Sequence, residues 1–246
     1  MAMRKENIVV TRRSFIAGTA STGLIMGLGS LLPGCSSDDA ASDIANGGAS
    51  KQFSPAVWFE IDGNGAILIN IAKAEMGQHV GTSLARIVAD ELGADWSKVS
   101  VKYVDSDPKW GYMVTGGSWS VVPSFAMLSQ AGAAGRSVLL EAGAALLGVA
   151  VDECGVANSR VEANGNHVSF AEIVSKGDVS RVFSDEELAA MPIKPAAERQ
   201  FIGHDTRALD IPDKTTGDAV YGLDAELPGM VYAHPMIPPT RYGSTI

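Results

Sequence analysis

Lys73-Ala74-Glu75-Met76-Gly77-Gln78-His79-Val80-Gly81-Thr82 is the stretch on which the reading of this chain turns. An apolar run over residues 66–72 precedes it and predicts a strand. Beyond it Leu84, Ile87, Val88 and Leu92 recur at i, i+3, i+4 and i+8, the spacing of a core-facing helical stripe. Thr82 or Ser83 is expected to cap the first turn of that helix, and Gly93 to end it. A strand, a glycine turn and a helix start gather several free backbone N–H groups at one point, a geometry that suits the phosphates of a bound cofactor. Gly77 and Gly81 let backbone approach a ligand, and Gln78 offers both a donor and an acceptor. The same residues also read as an ordinary β–α turn whose glycines supply positive φ, and the window alone leaves both readings open.

The 246 residues fit one large domain or two small ones. Apolar content of 46% with 19% charged residues describes a globular chain. A formal charge of −9 without a basic stripe argues against a nucleic-acid partner. The two cysteines, Cys35 and Cys154, make neither a disulfide framework nor a Cys-x-x-Cys pair, so the chain cannot hold an iron–sulfur cluster by itself. Cys154 reads as a buried small hydrophobe. The four histidines are too scattered to suggest a metal site.

The N-terminus reads as an address. Thr11-Arg12-Arg13-Ser14-Phe15-Ile16 is a twin-arginine signature, and residues 16–32 are diluted by glycine, serine and threonine to below the length and apolarity of a usual membrane span. Twin-arginine export implies folding before translocation; a signal anchor is the rival reading. Leu32 and Gly34 ahead of Cys35 resemble a lipoprotein cleavage site while Pro33 fits it poorly, so lipidation of Cys35 stays open. Residues 36–50, rich in Ala, Ser, Asp and Gly, read as a flexible tether.

Order is expected from about Gln52. Residues 57–61 and 66–71 flank Asp62-Gly63-Asn64-Gly65 as a β-hairpin, and residues 96–104 alternate as a half-buried strand after the central helix. A loop with Trp110, Tyr112 and Met113 leads into Val114-Thr115-Gly116-Gly117-Ser118-Trp119-Ser120, a second potential cradle for an anion or polar ring system, or else a flexible loop before a helix. Residues 124–148 predict a long helix whose small residues let it sit close to its neighbours. Arg136 and Glu141 within it argue against a membrane span. Residues 158–170 predict a hairpin turning at Asn164-Gly165-Asn166, then a short helix capped by Ser169. Residues 184–199 read as a polar connector. Residues 219–224 and 230–234 are expected to be strands around Leu227-Pro228-Gly229.

Taken together, these motifs resemble the molybdenum-cofactor-binding large subunit of the xanthine dehydrogenase/aldehyde oxidase family, in the branch typified by the isoquinoline 1-oxidoreductase β-subunit. Glu75-Met76-Gly77-Gln78 with Thr82, Ala89-Asp90-Glu91-Leu92 and Asp95-Trp96-Ser97-Lys98-Val99 are similar to the first cofactor segment and its helix. Thr115 to Ser120 resembles the second segment. Asp210-Ile211-Pro212-Asp213-Lys214, Gly217, Tyr221-Gly222 and Leu227-Pro228-Gly229-Met230 resemble the opening of the a/b hammerhead domain.

The resemblance implies an α+β chain: the N-terminal part of a molybdenum-cofactor-binding domain over 52–183, a linker over 184–209 and the beginning of a hammerhead domain over 210–246. An export signal over 1–35 and the tether over 36–51 precede them. Gly77, Gln78, His79 and Thr82, with Gly116, Gly117, Ser118 and Ser120, would hold a molybdenum-pterin, expected as molybdopterin cytosine dinucleotide. His79 stands where the family usually has glycine. A [2Fe–2S] small subunit and a membrane cytochrome c are implied as electron partners. The general-base glutamate of the family lies in a C-terminal segment outside this chain, so no catalytic residue and no protein metal ligand is nominated. The expected activity is oxidation of aldehydes or N-heterocycles with water as oxygen source, on the periplasmic side of the membrane. The chain alone is expected to be inactive and to bind little molybdenum. The alternative is a non-catalytic, truncated periplasmic protein that binds the cofactor or serves a structural role. The molybdenum reading requires both glycine bends to face one pocket.

Overall fold

The computed structural model describes residues 53–56, 58–238 and 240; the expected export signal, the tether and Cys35 lie outside them. Phe59–Ile61 (β2) and Ile67–Ile71 (β3) form the expected antiparallel hairpin, with Ile61 opposite Ile67. Its turn is closed by the Asp62 carboxylate, which accepts the N–H groups of Asn64 and Ala66 at 2.9 and 2.8 Å. Phe53–Ala56 (β1) pairs antiparallel with β2 on the outer side. Val80–Leu92 (α1) crosses over to Val99–Tyr103 (β4), which runs parallel to β3, so the sheet order is β1-β2-β3-β4. The crossover confirms the strand–helix–strand reading. Trp96-Ser97-Lys98, expected as the start of that strand, is instead a 3-10 turn capped by Asp95. Asp95 accepts from both the N–H and the hydroxyl of Ser97, which bends the chain before the strand begins.

Phe59, Ile61, Ile67, Ile69 and Ile71 of the sheet pack with Leu84, Ile87, Val88 and Leu92 of α1, all buried as their periodicity requires. The cap of α1 differs from expectation. Its N-cap position is His79, in the left-handed region at φ 58°, and neither Thr82 nor Ser83 caps it. The Thr82 hydroxyl is engaged elsewhere, and Ser83 Oγ donates back to the His79 carbonyl.

The second long helix, Val122–Leu147 (α2), lies across α1, and its small residues account for the close approach. A Cβ on Gly132 would stand 2.7 Å from Glu91 Cβ, and one on Gly143 would stand 2.7–2.8 Å from three atoms of Val161. On that far side Gly155–Ala157 (β5), Arg160–Ala163 (β6) and Asn166–Ser169 (β7) make a second antiparallel sheet, adding a strand to the expected hairpin. Phe170–Lys176 (α3) follows, with Ser169 capping it in a reciprocal pair with Glu172. Within the expected connector, Asp185–Ala189 (α4) is a short helix capped the same way by Ser184 and Glu187.

The described residues divide into two compact units, one ending at Ile211 and the other opening at Pro212, within the short helix Ile211–Thr216 (α5). The strands expected over 219–224 and 230–234 are not formed. Residues 222–224 are a 3-10 turn, and Val220, Leu223, Leu227, Val231 and Tyr232 are exposed. A two-stranded hairpin is by itself marginal in water, which gives the physical reason. No helix among the described residues is long and apolar enough to cross a membrane.

Candidate functional site

The first glycine stretch leaves β3 as Ala72-Lys73-Ala74 and turns through Gly77, at φ 106°, into the His79 cap. A strand that must reverse into a helix within nine residues needs such a left-handed step, and Gly77 takes it without steric cost. The N–H groups gathered at this turn do not face outward unfilled. The Glu75 carboxylate accepts those of Gly77 (2.7 Å) and His79 (3.1 Å) on one oxygen and that of Val80 (2.9 Å) on the other. Tyr103 on β4 donates its hydroxyl to the same carboxylate at 3.3 Å. Glu75 therefore sits where the amide cluster and the helix N-terminus favour a negative charge. Gln78 folds back into the turn: Oε1 accepts from Met76 N–H at 2.5 Å, and Nε2 donates to the Ala74 carbonyl at 2.9 Å.

The second stretch is built differently. Gly117 and Ser118 both take left-handed backbone, at φ 56° and 62°, and Trp119 N–H closes a turn onto the Gly116 carbonyl. Gly116, Gly117, Ser118 and Trp119 are exposed. Among the described residues, no group of the chain engages the N–H groups of Gly117 and Ser118 or the hydroxyls of Ser118 and Ser120. Successive free N–H groups in such a turn can accept an anion.

The chain brings the two stretches together. Ala74 N–H donates to Thr115 Oγ1 at 2.8 Å. The Lys73 ammonium donates to the carbonyls of Tyr112 (2.7 Å) and Val114 (3.2 Å) and lies 4.9 Å from the Tyr112 ring centroid. Lys73 is 6% exposed, and burial holds its pKa below the ordinary lysine value. Below this seam Trp110 is buried against Trp58, which pins the loop from the core side.

His79 and Thr82 face a different neighbour. Residues 192–210 run back along α1 in the reverse direction, held by a polar side chain at nearly every turn. The Asp90 carboxylate accepts the N–H groups of Gln200, Phe201 and Ile202 at 2.6, 3.0 and 2.8 Å. Arg86 donates to the Thr206 carbonyl, the Thr82 hydroxyl accepts Leu209 N–H at 2.9 Å, and His79 Nδ1 meets Asp210 Oδ1 at 2.6 Å. At the start of the strap, Glu91 holds Lys194 N–H and the Arg136 guanidinium of α2. Burial pushes the Glu91 carboxyl up, opposed by Lys194 N–H and Arg136; burial first and then Arg136 push the Lys194 ammonium down.

Of the eight candidate residues, then, Gly77, Gln78, Gly116, Gly117, Ser118 and Ser120 belong to the two joined stretches, while His79 and Thr82 point their polar atoms at the strap. Glu75, Lys73 and Asp90 carry the geometry, yet none of them is a candidate from the sequence. A carboxylate within five residues of an uncapped helix start was the available sign for Glu75. A polar stripe at Thr82, Arg86 and Asp90 was the sign for the strap.

Space around the stretches accords with a bulky polar ligand. A Cβ added to Gly77 or Gly116 would meet nothing within 4 Å, so both backbones open outward. The free amides and hydroxyls of the second stretch fit the polar edge of a pterin or a phosphate. The first turn, its amides committed to Glu75, fits a ligand through the open face of Gly77 and the remaining valences of Gln78. Among the described residues, no group of three or more His, Cys, Asp or Glu side chains could hold a metal ion directly.

The model of a family described as a molybdopterin cofactor-binding domain matches residues 22–201. The membrane-bound aldehyde dehydrogenase [pyrroloquinoline-quinone] of Gluconacetobacter polyoxogenes is 49% identical over 244 residues, 99% of this chain and 31% of that protein. The beta subunit of isoquinoline 1-oxidoreductase from Brevundimonas diminuta is 28% identical over 267 residues, covering 93% and 33%. The B subunit of nicotinate dehydrogenase from Pseudomonas putida is 28% identical over 190 residues, covering 77% and 16%. The chain thus spans a third or less of the length of these relatives. Among solved structures, quinoline 2-oxidoreductase from Pseudomonas putida 86 aligns with a TM-score of 0.38 at 22% identity, covering 48% of this chain and 15% of that one. The Cu,Mo-CO dehydrogenase aligns with a TM-score of 0.41 at 20% identity, covering 47% and 15%. On the match over residues 22–201 and the similarity along nearly its whole length, this α+β chain belongs to the molybdopterin cofactor-binding domain family, within the xanthine dehydrogenase group of proteins.

Proposed function

We propose that this chain forms part of the molybdenum-pterin site of an exported oxidoreductase large subunit acting on aldehydes or N-heterocycles. The observation that carries the reading is the joining of two glycine stretches through Lys73 and Thr115, with open backbone at Gly77 and Gly116 and free donors at Gly117, Ser118 and Ser120. The second stretch would take the anionic or most polar edge of the cofactor, expected as the cytosine dinucleotide form. Gln78 would meet it with the one N–H and the one lone pair that its bonds inside the turn leave over. Glu75 keeps the first turn's amides occupied, so that turn shapes the site without seating a phosphate. When bound, the cofactor supplies the two-electron oxidation, with water as the oxygen source. This chain's residues hold and orient it; no residue of the chain is nominated to move the proton.

Two cysteines do not make an iron–sulfur centre, which supports a separate [2Fe–2S] subunit as first electron acceptor and a membrane cytochrome c beyond it. The twin-arginine signature supports a periplasmic location, with Cys35 as a lipid attachment point if it is acylated.

A second reading draws on the relative whose name carries pyrroloquinoline-quinone, in which case a quinone would replace the pterin. The experiment separates the two. The protein carrying this chain is purified from cells supplied with molybdate and then denatured. Its small molecules are assayed for oxidised-pterin fluorescence, molybdenum and quinone absorbance. Pterin and molybdenum together support the first reading; quinone without pterin, or neither group, overturns it.

A further inference from the structure

Lys73, which joins the two stretches, is an uncommon kind of link. It is buried at the end of β3, and no carboxylate among the described residues pairs with it. A buried ammonium without a counter-charge is costly, and its hydrogen bonds must offset that cost. Here those bonds go to two carbonyls of one loop, Tyr112 and Val114, which lie just ahead of Thr115 and the second glycine stretch. The Tyr112 ring adds a cation–π contact from the same loop. One residue further along, Ala74 N–H holds Thr115 from the backbone side. Three hydrogen bonds and one ring contact therefore run from residues 73–74 to residues 112–115. The stretch that follows them is exposed and makes no long-range hydrogen bond of its own through Gly116 to Ser120.

We propose that Lys73 is the positioning residue that holds the second glycine stretch against the first. Its ammonium fixes the Tyr112 and Val114 carbonyls, and so places Gly116 to Ser120 beside the Gly77–Gln78 turn. The inference rests on the reading that both stretches serve one ligand, and it deepens that reading by naming what aligns them. Lysine suits the task because its single compact charge can serve two carbonyls from a stem that crosses the seam.

The test compares the protein carrying this chain with its Lys73→Met, Lys73→Arg and Thr115→Val variants by hydrogen–deuterium exchange. Lys73→Met keeps the buried stem and removes the donors. Amides of residues 112–120 should exchange at least about tenfold faster in Lys73→Met, with those of β2, β3 and α1 unchanged. Thr115→Val should give a smaller local rise, and Lys73→Arg should restore most of the protection. Pterin content of the purified protein should fall in the same order. Unchanged exchange over 112–120 in Lys73→Met overturns the proposal, as does a rise spread equally over the core strands. A wild-type protein without pterin would sink the cofactor reading, and the exchange pattern would still decide the role of Lys73.

Discussion

Replacing Asp90 should release the strap without dissolving the core. Its carboxylate is 2% exposed and accepts three consecutive backbone N–H groups, from Gln200, Phe201 and Ile202. A hydrogen bond to a charged acceptor contributes about 1.5–3 kcal/mol, but three bonds to one carboxylate share its charge and do not add in full. In Asp90→Ala the three amides lose their acceptor, at about 1–3 kcal/mol for each that stays buried. The segment can lift toward water and recover part of this loss. A net cost of about 3–4 kcal/mol results, in the range found when one partner of a buried charged network is removed. For a unit of this size that is a fall in melting temperature of about 6–16 °C. Asp90→Asn keeps one acceptor oxygen and should cost about half as much. The assay is urea denaturation paired with hydrogen exchange. Amides of 200–210 should lose protection well before those of Ile67–Ile71 in the variant, whereas the wild type should protect the strap strongly. A stability change under about 0.5 kcal/mol, the level of an ordinary surface substitution, would refute the assignment of Asp90 as the anchor.

Four further outcomes follow from the same contacts. Glu75→Ala should fray the first turn of α1 at about 1 kcal/mol and vacate the amide cluster; added sulfate should then raise the variant's melting temperature by more than it raises the wild type's, as a thermal scan would show. Gly143→Ala should destabilise by about 1–3 kcal/mol in chemical denaturation, since the new methyl overlaps Val161, and the double variant with Val161→Ala should recover part of that. Because burial lowers the Lys73 pKa, the folded chain releases that proton before the unfolded one does. Its contribution to stability is therefore smallest near neutrality and rises through the lowered pKa toward the ordinary value of about 10.4. The stability gap between wild type and Lys73→Met should shift in favour of the wild type as pH is raised on the alkaline side, and a gap flat with pH would contradict this. Glu91, raised by burial, runs the other way: its contribution is fully present below the unfolded carboxylate range and is lost as pH climbs through the raised value, which Glu91→Gln should abolish in a pH–stability series.

Local chemistry made much of the fold legible. The Asp62–Gly65 turn, the helical stripe of Leu84, Ile87, Val88 and Leu92, and the Ser169 cap each depend on residues within a few positions of one another. What escaped depends on distant partners. Thr82 and Ser83 are good capping residues by type, but Glu75 reaches the same amides from the preceding turn and leaves Thr82 to hold Leu209. Residues 219–224 and 230–234 carry the apolar alternation of strands, but a lone two-stranded pairing is marginal in water. The two glycine stretches were recognisable from composition. Their juncture was not, since it rests on Lys73 reaching across some forty positions to backbone carbonyls, which no residue type announces.

The strap along α1 also constrains what the segment can tolerate. Connecting stretches of polar residues ordinarily accept an extra residue with little consequence. Between Ile202 and Asp210 the attachments recur in step with the helix, like the teeth of a rack against a pinion. Inserting or deleting one residue there would set Thr206, Leu209 and Asp210 out of mesh with Arg86, Thr82 and His79 together. The length of this stretch, more than its composition, is what lineages of this protein would have to keep.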